Sequence, residues 1–220
     1  MIVIKIERNP VPPLSLSIEA KKATGRYNKS DVIQALKEDS HDKCYICELK
    51  GLSDPEVEHL RPHHNRKEVD RVFDWNNLFY ACPHCNNLKK ATKYDDKIID
   101  CCVEDPEEFL DQCYQDGHVV VHNIVDEERA IMTAELIQDS FEKRNTGIRE
   151  AACQHRIDCL ADSMNVLYKT LEKHKEMPSS QRYIKSLKSS LKRSSEFAAF
   201  KRNYVKNHIA DYPDLEKFLL

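Results

Sequence analysis

Two Cys-x-x-Cys pairs, Cys44-Tyr-Ile-Cys47 and Cys82-Pro-His-Cys85, constrain this chain more than any other feature. Each pair can form a tight turn that presents two thiolates to one point, and two such turns complete a tetrahedral four-cysteine zinc site. The 34 residues from 48 to 81 exceed the spacer of a compact zinc ribbon, so a sizeable structure is expected between the two knuckles. A redox Cys-x-x-Cys is the competing reading, but it needs a βαβ context that the pattern lacks and it leaves the second pair unexplained. From Cys44 to Lys93 the hydrophobic periodicity is irregular and Cys, His, Asn and Pro crowd together. Coordination replaces hydrophobic burial in segments of that kind. The other five cysteines, Cys101, Cys102, Cys113, Cys153 and Cys159, lack ligand spacing and read as core or incidental.

Composition narrows the fold around this frame. The chain has 4 glycines in 220 residues, where average usage gives about 15. That scarcity disfavours turn-rich sandwiches, and neither a GxGxxG nor a GxxxxGK[ST] loop occurs. An α+β fold, mostly helical, with a C-terminal helical region is expected. The alternating start gives way to Pro10, Pro12 and Pro13, and a short helix is expected over 17–22. Ser30-Asp31 caps a clear helix striped by Val32, Ile33, Ala35 and Leu36. Asp105-Pro106 marks a helix start, and residues 117–122 read as a strand. The chain turns helical from Asp126, with helices over 126–141 and 147–175, a third striped by Tyr183, Leu187 and Leu191, and a fourth or continuation bearing Phe197, Phe200 and Tyr204. Four segments follow: 1–43, 44–93, 94–146 and 147–220. No run reaches the roughly 18 apolar residues of a membrane helix, and the start is too soon charged for a signal peptide. The cytoplasm, where thiols stay reduced, is the expected address.

The net charge of −3 conceals a polarised chain. Between Tyr94 and Glu142 stand 15 acidic residues against Lys97 and Arg129, a local net of −13; between Lys169 and Lys206 stand 11 Lys and Arg against 3 Glu, a local net of +8. Asymmetry of this size suggests separate surfaces for separate partners. Two solvated faces are the plainer explanation.

Within and just after the cysteine frame lie Glu58-His59-Leu60-Arg61-Pro62, then Asp74-Trp75-Asn76-Asn77-Leu78, then Cys85-Asn86-Asn87-Leu88-Lys89. In this order and spacing the chain resembles the HNH endonucleases, many of which fix a ββα-metal core with a four-cysteine zinc of the same layout. Phosphodiester hydrolysis needs an activated water and a cation near the non-bridging oxygens. A carboxylate and an amide oxygen, as on Glu58 and Asn86, are hard ligands suited to Mg²⁺ or Mn²⁺. The resemblance implies that His59 is the general base, a task suited to an imidazole, and that Asn77 holds the loop that orients it. For Asn77 a turn cap before Leu78 is an equally compatible role. Lys89 looks like the basic residue that meets backbone phosphate, with plain solvent exposure as the alternative, and Arg61 and His63 are further candidates for substrate contact. His64 reads as a loop bystander and His84 as a knuckle side chain facing solvent or phosphate.

Over residues 1–150 the resemblance sharpens toward the PtuB-like HNH nuclease subunits of Septu-type antiphage systems, also found as retron effectors. It implies an effector controlled by a PtuA-like ATPase of the ABC type, with a nucleic-acid substrate, possible association with a retron RNA–DNA element, and no membrane. The −13 stretch would repel nucleic acid and suits docking to a basic partner surface, whereas the +8 tail could hold nucleic acid. The alternative is a catalytically silent, zinc-stabilised module that binds nucleic acid or a partner.

Overall fold

The computed structural model describes residues 5–89, 92–142 and 148–219. The fold is α+β, about half helical, with two small antiparallel sheets. Most of the strand pattern expected at the start falls on residues 1–4, outside the described residues. Beside it, the Ile6 amide donates to the Cys101 carbonyl at 2.9 Å.

Helix α1 spans Leu14–Ala20, earlier than the expected 17–22. Pro13 sets the start, because its carbonyl accepts from Leu16 N and a proline needs no helical amide partner of its own. Helix α2, Ser30–Asp39, buries Val32 and Leu36 against Trp75, Leu78 and Tyr80 in a minor core. Strand β1, Glu56–His59, pairs antiparallel with β2, Leu78–Ala81, with Glu58 opposite Phe79 and His59 opposite Leu78. Between them the chain makes helix α3, Val69–Val72, and a 3₁₀ turn, Trp75–Asn77, capped by Asp74, whose carboxylate accepts from Asn76 N. Helix α4, Pro83–Lys89, leaves the end of β2. Strand, strand and helix thus follow one another through the cysteine frame.

The acidic segment departs from expectation. Asp105-Pro106 opens only a 3₁₀ turn over Pro106–Glu108, again capped by an aspartate. The chain then enters strand β3, Leu110–Gln115, which pairs with β4, His118–Asn123. The Asp116-Gly117 turn has φ of 52° and 79°, the left-handed pair that a two-residue hairpin demands. Helix α5, Glu128–Phe141, covers this hairpin. Gln138 takes the place of a third strand at its edge, accepting from Val121 N at 2.9 Å and donating to Val119 O at 2.8 Å.

Helices α6, Ile148–Glu176, α7, Gln181–Ser190, and α8, Ala198–Asn207, follow; the expected start of α6 at Gly147 lies outside the described residues. Phe141, Phe197 and Phe200 interlock edge to face in the main core, which runs unbroken from Cys44 to Leu215.

The expected separation of acidic and basic surfaces is corrected in part. Arg202, 1% exposed, grips Glu107 with two bonds of 2.8 and 2.9 Å, and Arg193 pairs with Asp105 and Glu107. Some of each charge run therefore meets the other inside the chain. The reason is that the tail packs on the hairpin, and a guanidinium excluded from water must be answered by a carboxylate. No helix of the described residues is long and apolar enough to cross a membrane.

Candidate functional site

The two knuckles converge. The Sγ atoms of Cys44, Cys47, Cys82 and Cys85 lie within 4.8 Å of one another, and all four residues are buried. The first turn is closed by Glu48 N to Cys44 O at 2.9 Å and Cys44 N to Leu49 O at 3.0 Å, with Glu48 at φ 60°. The second turn points its own Cys85 amide at Cys82 Sγ across 3.5 Å. Tyr45 N donates to Tyr80 O at 2.9 Å, so the first knuckle is tied to the strand that delivers the second. A tetrahedron with metal–sulfur bonds of about 2.3 Å has edges near 3.8 Å, which this cluster can close around an ion. The four cysteines could hold a metal such as zinc.

Arg156 on α6, which no motif identified, donates to Cys82 Sγ at 2.9 Å while 4% exposed. The neighbouring thiols of Cys44, Cys47 and Cys85, together with this guanidinium, hold the Cys82 thiol far below its ordinary range. Burial pushes Cys47 and Cys85 up. His84 sits with Nε2 3.7 Å from Cys153 Sγ and is half-buried. A second group of possible ligand atoms, on Asp100, Cys101 and Cys102, also falls within 4.8 Å. The sequence reading missed it because the three residues are consecutive and match no ligand spacing.

Beside the β1–β2 pair lies an open cleft of about 740 Å³. Glu56, Glu58, His59, His63, Asn86 and Lys89 all line it. His59 closes β1 and is 8% exposed. Its Nε2 lies 3.1 Å from the Val72 carbonyl, and a carbonyl only accepts, so Nε2 carries the proton. The lone pair then sits on Nδ1. Tyr27 and His63 wall the ring edge-on, at centroid distances of 4.5 and 4.6 Å. Burial brings the His59 pKa down to about 4, only partly offset by the Val72 carbonyl. The imidazole is therefore neutral at neutral pH. Burial also lowers His63, whose Nδ1 accepts from Arg66 N at 3.0 Å. His64, with φ 45°, stands 3.7 Å from Asp95.

Asn77 is fully buried. Its Oδ1 accepts from Arg61 N at 2.8 Å, and its Nδ2 donates to the Arg61 and Arg71 carbonyls at 2.9 and 3.0 Å. It thereby fixes the loop after His59 and the peptide immediately before Val72, whose carbonyl meets the imidazole. The turn-cap task belongs to Asp74 instead. Arg61 itself is half-exposed and pairs with Asp74 at 3.0 Å.

The structure corrects the placement of Lys89. The residue is neither solvent-exposed nor free for phosphate: it is 3% exposed. Its ammonium lies 2.8 Å from Glu58 Oε1 and donates to the His59 and Leu60 carbonyls at 2.9 and 2.8 Å. The physical reason is helical register, because Lys89 falls four residues after Cys85 on the face of α4 that turns inward. The other Glu58 oxygen accepts from Tyr45 Oη, so both oxygens of the expected ion ligand are already engaged. Asn86 donates to Glu56 Oε2 at 2.6 Å. Glu56 was missed by the sequence reading, although its place two residues before Glu58 on a strand carried the signal.

No family model matches the chain, and no curated protein matches it.

Proposed function

We propose that the chain is a metal-dependent endonuclease of the HNH type, hydrolysing phosphodiester bonds in nucleic acid. The observation that carries this reading is His59. A neutral imidazole lines an open cleft, its Nε2–H anchored on a backbone carbonyl and its Nδ1 lone pair taken by no donor among the described residues. That arrangement suits a general base that takes a proton from water. As the imidazolium forms, the Val72 carbonyl stabilises it, and Asn77 keeps that carbonyl in position. The strand–strand–helix order through the cysteine frame agrees with a ββα-metal core, and zinc is the ion that four buried thiolates suit best.

Glu56 and Asn86, with Glu58 once Lys89 releases it, are the oxygen donors that would hold Mg²⁺ or Mn²⁺. The ion would neutralise charge on the phosphate and acidify bound water. By its resemblance to PtuB-like subunits, the chain would act as an antiphage effector under an ABC-type ATPase, in the cytoplasm. On the β3–β4 hairpin Asp111 and Asp116, which form no ion pair among the described residues, offer a surface for that partner.

One observation favours a second reading, a catalytically silent binding module: Tyr45 and Lys89 occupy both oxygens of Glu58. Cleavage of plasmid DNA, single-stranded DNA and RNA, with and without Mg²⁺ or Mn²⁺, separates the two. The nuclease reading expects ion-dependent cleavage that falls by about 10²–10⁴ in folded His59→Ala. If the wild-type chain cleaves nothing with any divalent ion, alone or with such an ATPase, the module reading replaces it.

A further inference from the structure

A second concave surface shares no lining residue with the His59 cleft. It is a groove of about 440 Å³ between the end of α7, the C-terminal segment and residues 5–7. Six cationic side chains line it: Lys5, Lys188, Lys192, Arg193, Arg202 and Lys217; Glu7 is the one acid among the lining residues, and His41 completes the rim. Arg202 and Arg193 are answered by Glu107 and Asp105 from behind. The four lysines form no ion pair among the described residues, and each is exposed. Arg193 Nη1 is buried with no acceptor among the described residues.

Helix α7 has no acidic residue, and Lys188 and Lys192 stand one turn apart. Lys188 lies in the last turn, where a cation suits the helix dipole, and Lys192 lies two residues past the end of the helix. Arg193 and Arg202 already answer Asp105 and Glu107, so the four lysines add positive charge that no acid among the described residues pairs with.

We propose that this groove binds the phosphate backbone of a nucleic-acid strand, away from the cleft. Lysines on three separate chain segments offer point charges spread along a groove, which matches a repeating phosphodiester better than one compact phosphate. Flexible ammonium groups, with the two guanidinium forks already turned toward Asp105 and Glu107, suit backbone contact without base readout. The role of the bound strand, to feed the His59 cleft, rests on the nuclease reading; the binding itself does not.

The test is fluorescence anisotropy of a labelled single-stranded DNA of about 16 nucleotides, titrated with the full chain at several salt concentrations without added divalent ions. Each phosphate contact on a single strand contributes about 0.7 to the salt slope. Lys188→Ala/Lys192→Ala should therefore lower the slope by about 1.4 and weaken binding about 25-fold at about 0.1 M salt. Lys21→Ala/Lys169→Ala removes two exposed lysines elsewhere and should leave binding within about twofold. Equal loss in the two double variants, or no loss in the first, overturns the proposal. So does displacement of the probe by poly-glutamate at equal charge, which would make the groove a site for an acidic protein. Salt-dependent binding lost in the first variant, in a wild-type chain that cleaves nothing with Mg²⁺ or Mn²⁺, leaves the groove standing and removes the nuclease reading. Unchanged binding together with ion-dependent cleavage does the reverse.

Discussion

Replacing Lys89 by methionine separates a buried structural cation from a surface lysine. Methionine keeps the length of the side chain and removes its charge. In the native fold the ammonium is 2.8 Å from Glu58 Oε1 and bonds two backbone carbonyls, with both side chains under 10% exposed. Deleting one member of such a pair leaves a buried charge without its partner, which costs about 3–5 kcal/mol. His59 lines the open cleft, so water can replace part of that loss. Lys89→Met is therefore expected to destabilise by about 4 kcal/mol. With a urea slope of about 2.5 kcal/mol per M, the midpoint falls by about 1.5 M. Glu58→Gln/Lys89→Met, which neutralises both partners, should regain at least half of that loss. The assay is urea unfolding followed by circular dichroism, with the slope held constant across variants. A surface lysine would change stability by no more than about 0.5 kcal/mol. A midpoint shift that small, or a double variant no better than the single one, would refute the buried-pair argument.

Four other outcomes are expected. Cys85→Ser, or stripping with a strong chelator, should unfold the strands and helix around the knuckles, while elemental analysis of the native chain gives one zinc; full stability without any metal would sink the assignment. Long-range ¹H–¹⁵N spectra should show His59 as the Nε2–H tautomer at pH 7, titrating near the pKa of about 4 set by its burial. In Asn77→Ala, with three backbone groups left unpaired, that titration should move back toward 6.5 and stability should fall by about 3 kcal/mol; an unmoved titration would separate Asn77 from His59. Lys201, 4% exposed, has its pKa lowered from 10.5 to about 8 by burial. Above pH 8 the unfolded chain holds this proton more tightly than the folded one, so stability contributed by this group rises between pH 8 and 10.5. Carrying the charged form in the folded state at pH 7 costs about 3 kcal/mol, offset by about 1 for the bond to Ser195. Lys201→Met should then be about 2 kcal/mol more stable than wild type at pH 7, with the gap closing by pH 10. A gap that is absent or independent of pH would contradict the burial argument.

The features legible in the sequence were those written in local spacing. The Cys-x-x-Cys turns are local, and their convergence needs only that two knuckles meet. Helix α2 is striped by its own Val32 and Leu36, although Ser30-Asp31 does not cap it: Lys29 holds the N-cap position and the Asp31 carboxylate accepts from Ser15 instead. The Asp116-Gly117 pair carries a local hairpin signal, but only the strand after it was expected, from 117 to 122, and the turn itself was missed. Even Lys89 and Glu56 were marked by register, four residues after Cys85 and two before Glu58, though charge outweighed register in the reading. Strand β3 was hidden because Asp105-Pro106 resembles a helix start, and only pairing with β4 makes 110–115 extended.

By itself, then, the sequence determined the sulfur-rich frame, the Glu-His-Asn set within it and the helical tail, since these depend on neighbours a few residues apart. The tertiary structure alone decided which charges are answered. Arg156 reaches Cys82 across 74 positions and Arg202 reaches Glu107 across 95, while Glu58 is closed off by Tyr45 and Lys89. A charged side chain carries no local sign of its partner. Whether it meets water or a counter-ion is fixed only when packing removes the water.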